Sequence, residues 1–155
     1  MHVLGLSPRV PRIIGVQAAG AAPIAAALAE GRDVTPVPVR TIADGIAVGT
    51  PRNWRKALAA VRASDGTIVT VTDEEITDAM RLLARLAGVW GEPAALAGIA
   101  ALPHLKERGL IGGSDRVLVL LTGHGLKDPR AGRRAAPGRT VEIEPTSDAV
   151  REALR

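Results

Sequence analysis

Apolar residues along the chain fall into short β-branched runs separated by longer stretches with helical spacing, a pattern typical of α/β proteins. Two runs, Ile13–Gln17 and Thr67–Val71, predict strands. A third run, Val117–Leu121, has five consecutive apolar residues and predicts a strand buried on both faces of a parallel sheet. We therefore expect an α/β fold with an open, mostly parallel sheet and flanking helices.

Four stretches have the composition and periodicity of helices: residues 18–30, 54–64, 72–87 and 94–108. The third opens with Thr72 and Glu75 in the spacing of a capping box, and its inward positions include Leu86. The fourth is apolar nearly all round until Leu102, which predicts burial. Pro103 should kink or split this fourth helix, because proline lacks the amide hydrogen that a helix interior needs.

The C-terminal part differs in composition from the rest. We predict one partial domain over residues 1–129 and a basic linker with a tail over residues 130–155, the tail holding a short strand, Val141–Ile143, and a short helix, Ser147–Leu154. The linker carries clustered arginines at positions 130, 133, 134 and 139. Such a cluster could attract nucleic acid, but no aromatic residue is present there for base stacking. A solvated linker, with no nucleic-acid partner, is the favoured interpretation.

Composition narrows the class of protein. At 155 residues and 46% hydrophobic residues, the chain is long and apolar enough for one substantial core. The absence of cysteine excludes disulfides and thiolate metal sites. No apolar run reaches the ~20 residues that span a bilayer, and the N-terminus lacks the apolar region of a signal peptide. We expect a soluble, cytoplasmic protein with no membrane partner.

The end of the third apolar run is the strongest candidate for chemistry. Thr122-Gly123-His124-Gly125 follows it directly, and ligands of open α/β sheets bind beyond the carboxyl ends of the strands. A hydroxyl followed by two glycines could contact a cofactor closely, although a plain turn explains the same residues. The segment lacks the third glycine of a dinucleotide fingerprint and the Gly-Lys-Ser/Thr ending of a P-loop.

The segment Thr122–Pro129 resembles the C-terminal signature of threonine synthases, enzymes that depend on pyridoxal phosphate (PLP) and share the structural class of the tryptophan synthase β subunit. The similarity extends over roughly Pro11 to Pro129, with further matching segments in the family's order. These segments are Arg12–Pro23, Thr41–Ala43, Gly49–Pro51, Thr72–Ile76 and Glu92–Ala94. The resemblance implies the C-terminal half of the large domain of a fold-type II PLP enzyme.

The resemblance also implies a cofactor, a substrate class and site residues. The family converts the small amino-acid substrate O-phosphohomoserine to threonine and phosphate, with PLP as the electron sink. By resemblance, Thr122 places its hydroxyl at the pyridine nitrogen, Gly123 follows in the same turn, and Glu92 lies beside the ring. Gly49 matches a glycine of the loop that faces the cofactor. Simpler roles stay open: Glu92 suits any helix N-terminus, and Gly49 suits a turn before Pro51.

The lysines limit what this chain can do. PLP enzymes need a lysine that binds the cofactor covalently, and this chain has only Lys56, Lys106 and Lys127. In the family, that lysine and the Gly-rich phosphate loop come from far upstream. The sequence therefore predicts a truncated portion that is inactive alone, requires a separate N-terminal half or a homodimer partner, and carries no catalytic residue of its own.

Two alternatives remain open. The stretch Thr41–Val48 is more similar to the threonine or serine dehydratase branch of the same fold, which would make the chain part of an ammonia-lyase. A non-catalytic fragment or an autonomous binding module is the other. The histidines His2, His104 and His124 are too scattered to suggest a metal site, and residues 18–22 offer no carboxylate where dehydratase relatives can carry metal ligands.

Overall fold

The computed structural model describes residue 2, residues 4–136, residue 138 and residues 141–154. The described residues form a two-stranded parallel sheet and seven α-helices. The strands are β1 (Ile14–Ala18) and β2 (Thr67–Val71). The helices are α1 (Pro23–Glu30), α2 (Trp54–Ala63), α3 (Asp73–Ala87), α4 (Pro93–Ala100), α5 (Leu102–Glu107), α6 (Pro129–Ala135) and α7 (Ser147–Ala153). The predicted mixed α/β fold with a parallel sheet and flanking helices is confirmed.

The sheet forms where the β-branched runs predicted it. β1 pairs with β2 in parallel, in a register that places Ile14 opposite Thr67 and Ala18 opposite Val71. The connection carries α1 and α2, as parallel strands require a long crossover. The side chain of Gln17 accepts hydrogen bonds from the backbone N–H groups of Ile24 (3.0 Å) and Ala25 (2.9 Å). It thereby satisfies two of the amide groups that the start of α1 leaves without a helical partner.

Helix α4 lies at the centre of the core. It packs against α3 and also contacts β1, α5 and the short 3₁₀ turn Asp44–Ile46. Ala95, Ala97 and Ala100 are buried with Leu96, so nearly every face of α4 is covered. Small side chains let the neighbouring elements approach the helix axis closely, which is how a core with only two aromatic residues closes. Proline splits the predicted helix as expected: α4 ends at Ala100 and Pro103 stands in the first turn of α5.

The start of α3 is held from two sides. The predicted capping box is confirmed, with Glu75 N–H donating to Thr72 Oγ1 (3.2 Å) and Thr72 N–H donating to Glu75 Oε2 (2.7 Å). The other oxygen of the Glu75 carboxylate lies 2.6 Å from Nε2 of His104 on α5. Asp73 accepts hydrogen bonds from the Thr41 hydroxyl (2.6 Å) and the Ile42 N–H (3.1 Å). One helix terminus therefore anchors both α5 and the loop that follows Arg40.

The prediction of a buried central strand over Val117–Leu121 is wrong. These residues belong to no strand, and Leu118 and Leu120 are 85% and 73% exposed. A strand is buried on both faces only when other strands pair with both of its edges and helices cover it. In the described part of the chain the sheet consists of β1 and β2 alone. The segment lies against α4 through Val119, whose methyl group fills the space that the missing side chain of Gly98 leaves.

The rest of the C-terminal part also departs from expectation in places. Residues 130–135 of the predicted linker lie in α6, and α6 packs against α3 with Ala131 and Ala135 buried. Val141–Ile143 is not a strand, because no described segment pairs with it. The helix at 147–154 is confirmed as α7, whereas Arg139 of the basic cluster lies outside the described residues. The division of the chain at residue 129 remains a prediction.

Two further details complete the fold. Leu86, predicted to point inward from α3, is 72% exposed, because α4 and α6 cover a different stripe of this helix. Gly31 and Gly88 end α1 and α3 in the left-handed conformation, each with a φ of 65°, which a side chain would disfavour. Among the described residues, no helix combines the length and apolar character needed to cross a bilayer.

Replacing Leu96 and Leu118 in turn by alanine should separate the buried helix from the exposed run. We expect Leu96→Ala to lower the free energy of unfolding by about 2–5 kcal/mol, because Leu96 is fully buried. Leu118→Ala should change it by less than about 0.5 kcal/mol. Urea denaturation followed by circular dichroism measures both. A loss of several kcal/mol in Leu118→Ala would show that Leu118 is buried, as the sequence predicted.

The capping box should make stability depend on acid. The hydrogen bond from the Thr72 backbone N–H, with a further one from His104, lowers the pKa of Glu75 below its ordinary value of 4.5. A carboxyl with a lowered folded-state pKa stabilises the fold above pH 4.5, and this contribution is lost as the pH falls through the folded-state pKa. Below pH 4.5 the free energy of unfolding should therefore fall less steeply in Glu75→Gln than in the unmodified chain.

The matched control for that measurement is Glu74→Gln, which removes the same charge from the adjacent exposed position of α3. Its acid profile should follow that of the unmodified chain. Parallel acid profiles of the unmodified chain and Glu75→Gln, measured by denaturant titration at each pH, would show that the Thr72–Glu75–His104 contacts do not couple folding to protonation.

Candidate functional site

The turn that follows the exposed apolar run is joined to the start of α4 by backbone hydrogen bonds. The N–H of Glu92 donates to the carbonyl of Gly123 (3.0 Å), and the N–H of Gly125 donates to the carbonyl of Trp90 (2.9 Å). Gly91 and His124 form an antiparallel bridge between these two bonds. Two segments that are 30 residues apart in the sequence therefore share one edge, which we call the Glu92–Gly123 edge and which comprises residues 90–92 and 122–125.

Glu92 presents its carboxylate at this edge. It occupies the N-cap position of α4, where the helix dipole favours a negative charge, but its side chain makes no capping hydrogen bond to the helix backbone. Its carboxylate instead lies 3.1 Å from Nζ of Lys127, and the Glu92 side chain is 14% exposed. Lys127 is the last residue of the 3₁₀ turn Gly125–Lys127. Glu92 is therefore contacted by the Gly123 backbone and by the Lys127 side chain.

Gly123 is required by close packing. A Cβ atom at this position would overlap the Glu92 carboxylate, so a larger residue here would require the Glu92 side chain to shift. On the other side, a Cβ at Gly45 would stand 3.9 Å from Glu92 Oε1 and 3.1 Å from the Ala94 side chain. The 3₁₀ turn Asp44–Ile46 therefore borders the same carboxylate.

Trp90 supports the edge from the α6 side. Its indole ring occupies the space where side chains at Gly125 and Gly132 would be. The His124 ring meets it edge-on, with 5.8 Å between ring centroids and 63° between planes. Nδ1 of His124 accepts a hydrogen bond from the Leu126 N–H (3.1 Å), which makes His124 a capping residue of the turn. No group of three potential metal ligands occurs in the described part of the chain.

The structure brings together three of the four residues that the resemblance implied. Thr122, Gly123 and Glu92 share the edge, and Thr122 is exposed at it. Gly49 lies elsewhere: its carbonyl accepts a hydrogen bond from the Val37 N–H (3.1 Å), and a Cβ there would collide with Val37. Its close contacts are with the extended segment before Arg40, and Gly45 is the glycine of this loop that borders Glu92.

Sequence reasoning did not identify Gly45, Trp90 or the Lys127–Glu92 ion pair as parts of the site. The spacing of Lys127 and Glu92, 35 residues apart, carries no local signal for their contact. Gly45 lies in the stretch that resembled the dehydratase branch, which was the available clue. The remaining lysines are outside this edge: Lys56 is exposed on α2 and Lys106 is exposed on α5.

Comparison with known proteins identifies relatives for nearly the whole chain. Residues 2–123 match the family described as "Pyridoxal-phosphate dependent enzyme". The chain is 42% identical over 154 residues to the threonine synthase of Methanosarcina acetivorans, covering 98% of this chain and 38% of the relative. It is 40% identical over 156 residues to the threonine synthase of Methanocaldococcus jannaschii, covering 99% of this chain and 38% of the relative. The chain therefore spans less than half the length of these relatives.

Solved structures show a similar fold. The crystal structure of threonine synthase from Escherichia coli superposes with a TM-score of 0.69 at 22% identity, covering 97% of this chain and 34% of that one. The crystal structure of the T.th. threonine deaminase superposes with a TM-score of 0.55 at 28% identity, covering 68% of this chain and 35% of that one. Both likenesses cover only about a third of the known structure.

Substituting Gly123 should test the packing at the edge. Gly123→Ala places a methyl group where the Glu92 carboxylate lies, and we expect a loss of about 1–3 kcal/mol in the free energy of unfolding. Gly113→Ala is the matched control, because nothing lies within 4 Å of a Cβ there. Urea denaturation measures both variants. Equal stability of the two would show that the Glu92 side chain moves aside at no measurable cost and that the packing at Gly123 does not stabilise the fold.

Proposed function

Since the chain belongs to the family of pyridoxal-phosphate dependent enzymes, we propose that it forms one wall of the cofactor pocket of a threonine synthase. The observation that carries this proposal is the joining of Thr122–Gly123 to Glu92 by the hydrogen bond from the Glu92 N–H to the Gly123 carbonyl. The curated relatives named threonine synthase, at 40–42% identity, support the choice of reaction. A cytoplasmic location is part of the same proposal, as expected for a biosynthetic role.

The described residues fit one side of PLP. Thr122 offers an exposed hydroxyl at the start of the turn, which can hydrogen-bond a pyridine nitrogen without forcing its protonation. Gly123 keeps the adjacent backbone free of side-chain bulk. Glu92 is held beside them by Lys127, so that its carboxylate keeps a fixed position. PLP supplies the electron sink, while this chain's residues would orient the ring and border the substrate.

Gly49 belongs to the proposal in a secondary role. Its carbonyl is tied to Val37, so it shapes the base of the loop that carries Gly45 to the site. Gly45, and not Gly49, is the residue of this loop beside Glu92.

The covalent anchor would come from outside this chain. Lys127 is the one lysine at the edge and is 3.1 Å from the Glu92 carboxylate. That ion pair ties the Lys127 side chain to Glu92, whereas an anchoring lysine must reach the cofactor carbonyl. Lys56 and Lys106 are on α2 and α5. We propose that an N-terminal half supplies the anchoring lysine and the phosphate-binding loop, and that the isolated chain has no turnover.

The exposed apolar run over Val117–Leu121 supports the proposal that an N-terminal half packs against this chain. Val117, Leu118 and Leu120 present large apolar surface to solvent, and such contiguous patches normally mark an interface. The run leads directly into Thr122. A neighbouring strand added along it would both cover the patch and bring another chain segment to the Glu92–Gly123 edge.

A threonine or serine dehydratase is the second candidate. It is favoured by the position of Gly45, because the stretch that resembled the dehydratase branch is the loop that borders Glu92. The fold likeness to the T.th. threonine deaminase, at 28% identity, agrees with it. The two candidates share the cofactor and differ in substrate, so they predict different products.

A segment exchange tests both candidates. This chain should replace the 154-residue matching segment of the Methanosarcina acetivorans threonine synthase, and separately the matching segment of the T.th. threonine deaminase. We expect phosphate release from O-phosphohomoserine in the first hybrid and no 2-oxobutanoate from threonine in the second. The opposite pattern would establish the dehydratase, and activity of the isolated chain with added PLP would refute the need for a second half.

Variants of Thr122 in the first hybrid test whether its hydroxyl binds the cofactor. Thr122→Val keeps the shape and removes the hydroxyl, and a lost hydrogen bond should weaken PLP binding about two- to tenfold. Thr122→Ser keeps the hydroxyl and serves as the control. PLP affinity is read from the cofactor absorbance, which does not depend on turnover. Equal affinity in all three hybrids would remove Thr122 from the cofactor site.

A further inference from the structure

An open apolar groove runs between α3, α6 and the helices α4 and α5. It encloses about 1300 Å³, and its lining includes Met80, Leu82, Trp90, Ile99 and Ala135. Leu82 is 43% exposed at its edge. The groove is separate from the exposed run over Val117–Leu121, none of whose residues line it. An apolar surface of this size, bordered by charged residues, is a typical binding surface for another polypeptide.

The border of the groove carries uncompensated positive charge. Arg81 is already engaged, by Asp78 at 2.7 Å and by the Ala135 carbonyl at 2.6 Å. The Glu75 carboxylate is likewise engaged, by His104. Arg85 and Arg133 also line the groove, and no ion pair joins either of them to another described residue. An occupant with apolar side chains and carboxylates would complement both the lining and the border.

The C-terminal tail has that chemistry. Helix α7 carries Val150, and Leu154 follows it four residues later, a spacing that puts both on one face of the helix. They are 43% and 82% exposed. The tail also contains four carboxylates, those of Glu142, Glu144, Asp148 and Glu152; Asp148 is paired with Arg151 of the same helix at 3.0 Å, and no ion pair joins the other three to a described residue. The helix start is already formed, because Thr146 Oγ1 accepts a hydrogen bond from the Ala149 N–H (3.2 Å).

We propose that α7 of one copy of this chain docks into the groove of a second copy. In the structure α7 leaves both apolar side chains exposed, so it does not fill the groove of its own chain. Each copy offers one groove and one helix, and a reciprocal exchange therefore closes with two-fold symmetry and leaves neither surface open. Opposite charges on the tail and the groove border fix the direction of association. This contact does not depend on the proposed catalytic role.

Disulfide trapping tests the proposal directly, because the chain contains no cysteine. Leu82→Cys and Val150→Cys are prepared as separate variants, one of them carrying a mass tag, and are mixed under mild oxidation. We expect a mixed disulfide between the two variants, since docking would bring the two Cβ atoms within disulfide range. Leu86→Cys mixed with Val150→Cys is the matched control: Leu86 is exposed on the same helix but does not line the groove. The control should give little mixed product.

The other outcomes refute the second-copy contact. A double variant, Leu82→Cys with Val150→Cys, that closes an internal disulfide while the mixture gives none would place α7 on its own chain. Equal trapping at Leu82 and Leu86 would indicate unspecific association through another surface. No trapping in any mixture would leave the groove for a different protein, such as the proposed N-terminal half.

Sedimentation equilibrium gives a second, independent measurement. The unmodified chain should form dimers whose dissociation constant rises with ionic strength, because the complementary charges are screened. Val150→Asp should weaken the dimer about tenfold or more, since it replaces by a charge a valine that docking would bury. Leu86→Asp should leave the dimer unchanged. An unmodified chain that remains monomeric, or a dimer insensitive to Val150→Asp, would overturn the proposal.

Discussion

The burial of α4 is the constraint on which the structure depends. This helix is covered on nearly all sides, and its alanine residues let α3, β1 and α5 approach closely. A helix so placed cannot carry polar side chains in its interior, because each would need a hydrogen-bond partner in the core. The charged residue next to this helix is therefore at its N-cap: Glu92 precedes Pro93 and lies at the edge shared with Gly123. The core and the candidate site are two consequences of one buried helix.

The run over Val117–Leu121 is apolar, yet most of it is exposed to solvent. Its composition is that of a strand interior, yet only Val119 packs closely, over Gly98 of α4. The backbone of such a run needs neighbouring strands on both sides before its side chains can be buried. The sheet in the described residues ends at two strands, and the curated relatives are more than twice as long as this chain. The proposed interface for further chain segments and the proposed cofactor pocket are thus linked, because the run ends at Thr122.

On one side of the candidate site Glu92 packs against Gly123, and on the other side Thr122 is open to solvent. Glycine at position 123 lets backbone reach the Glu92 carboxylate, and Lys127 balances its charge at the rim. Because the Lys127 side chain is 63% exposed, solvent screens this ion pair, and its consequence is mainly the orientation of Glu92. Thr122 faces solvent at the same edge. This arrangement suits a wall against which a cofactor could lie and does not by itself enclose one.

Local features followed from the sequence alone. Glycines ended α1 and α3, Thr72 and Glu75 formed the capping box, and the β-branched runs became β1 and β2, because these depend on neighbours within a few residues. The association of Glu92 with the turn at Thr122 was implied only through resemblance. Tertiary structure decided the rest: that Gly45 and not Gly49 borders Glu92, that Lys127 pairs with it, that α6 joins the core, and that the most apolar run stays exposed. Each of these depends on contacts between segments far apart in the chain, and burial in particular requires partners that no local pattern can supply.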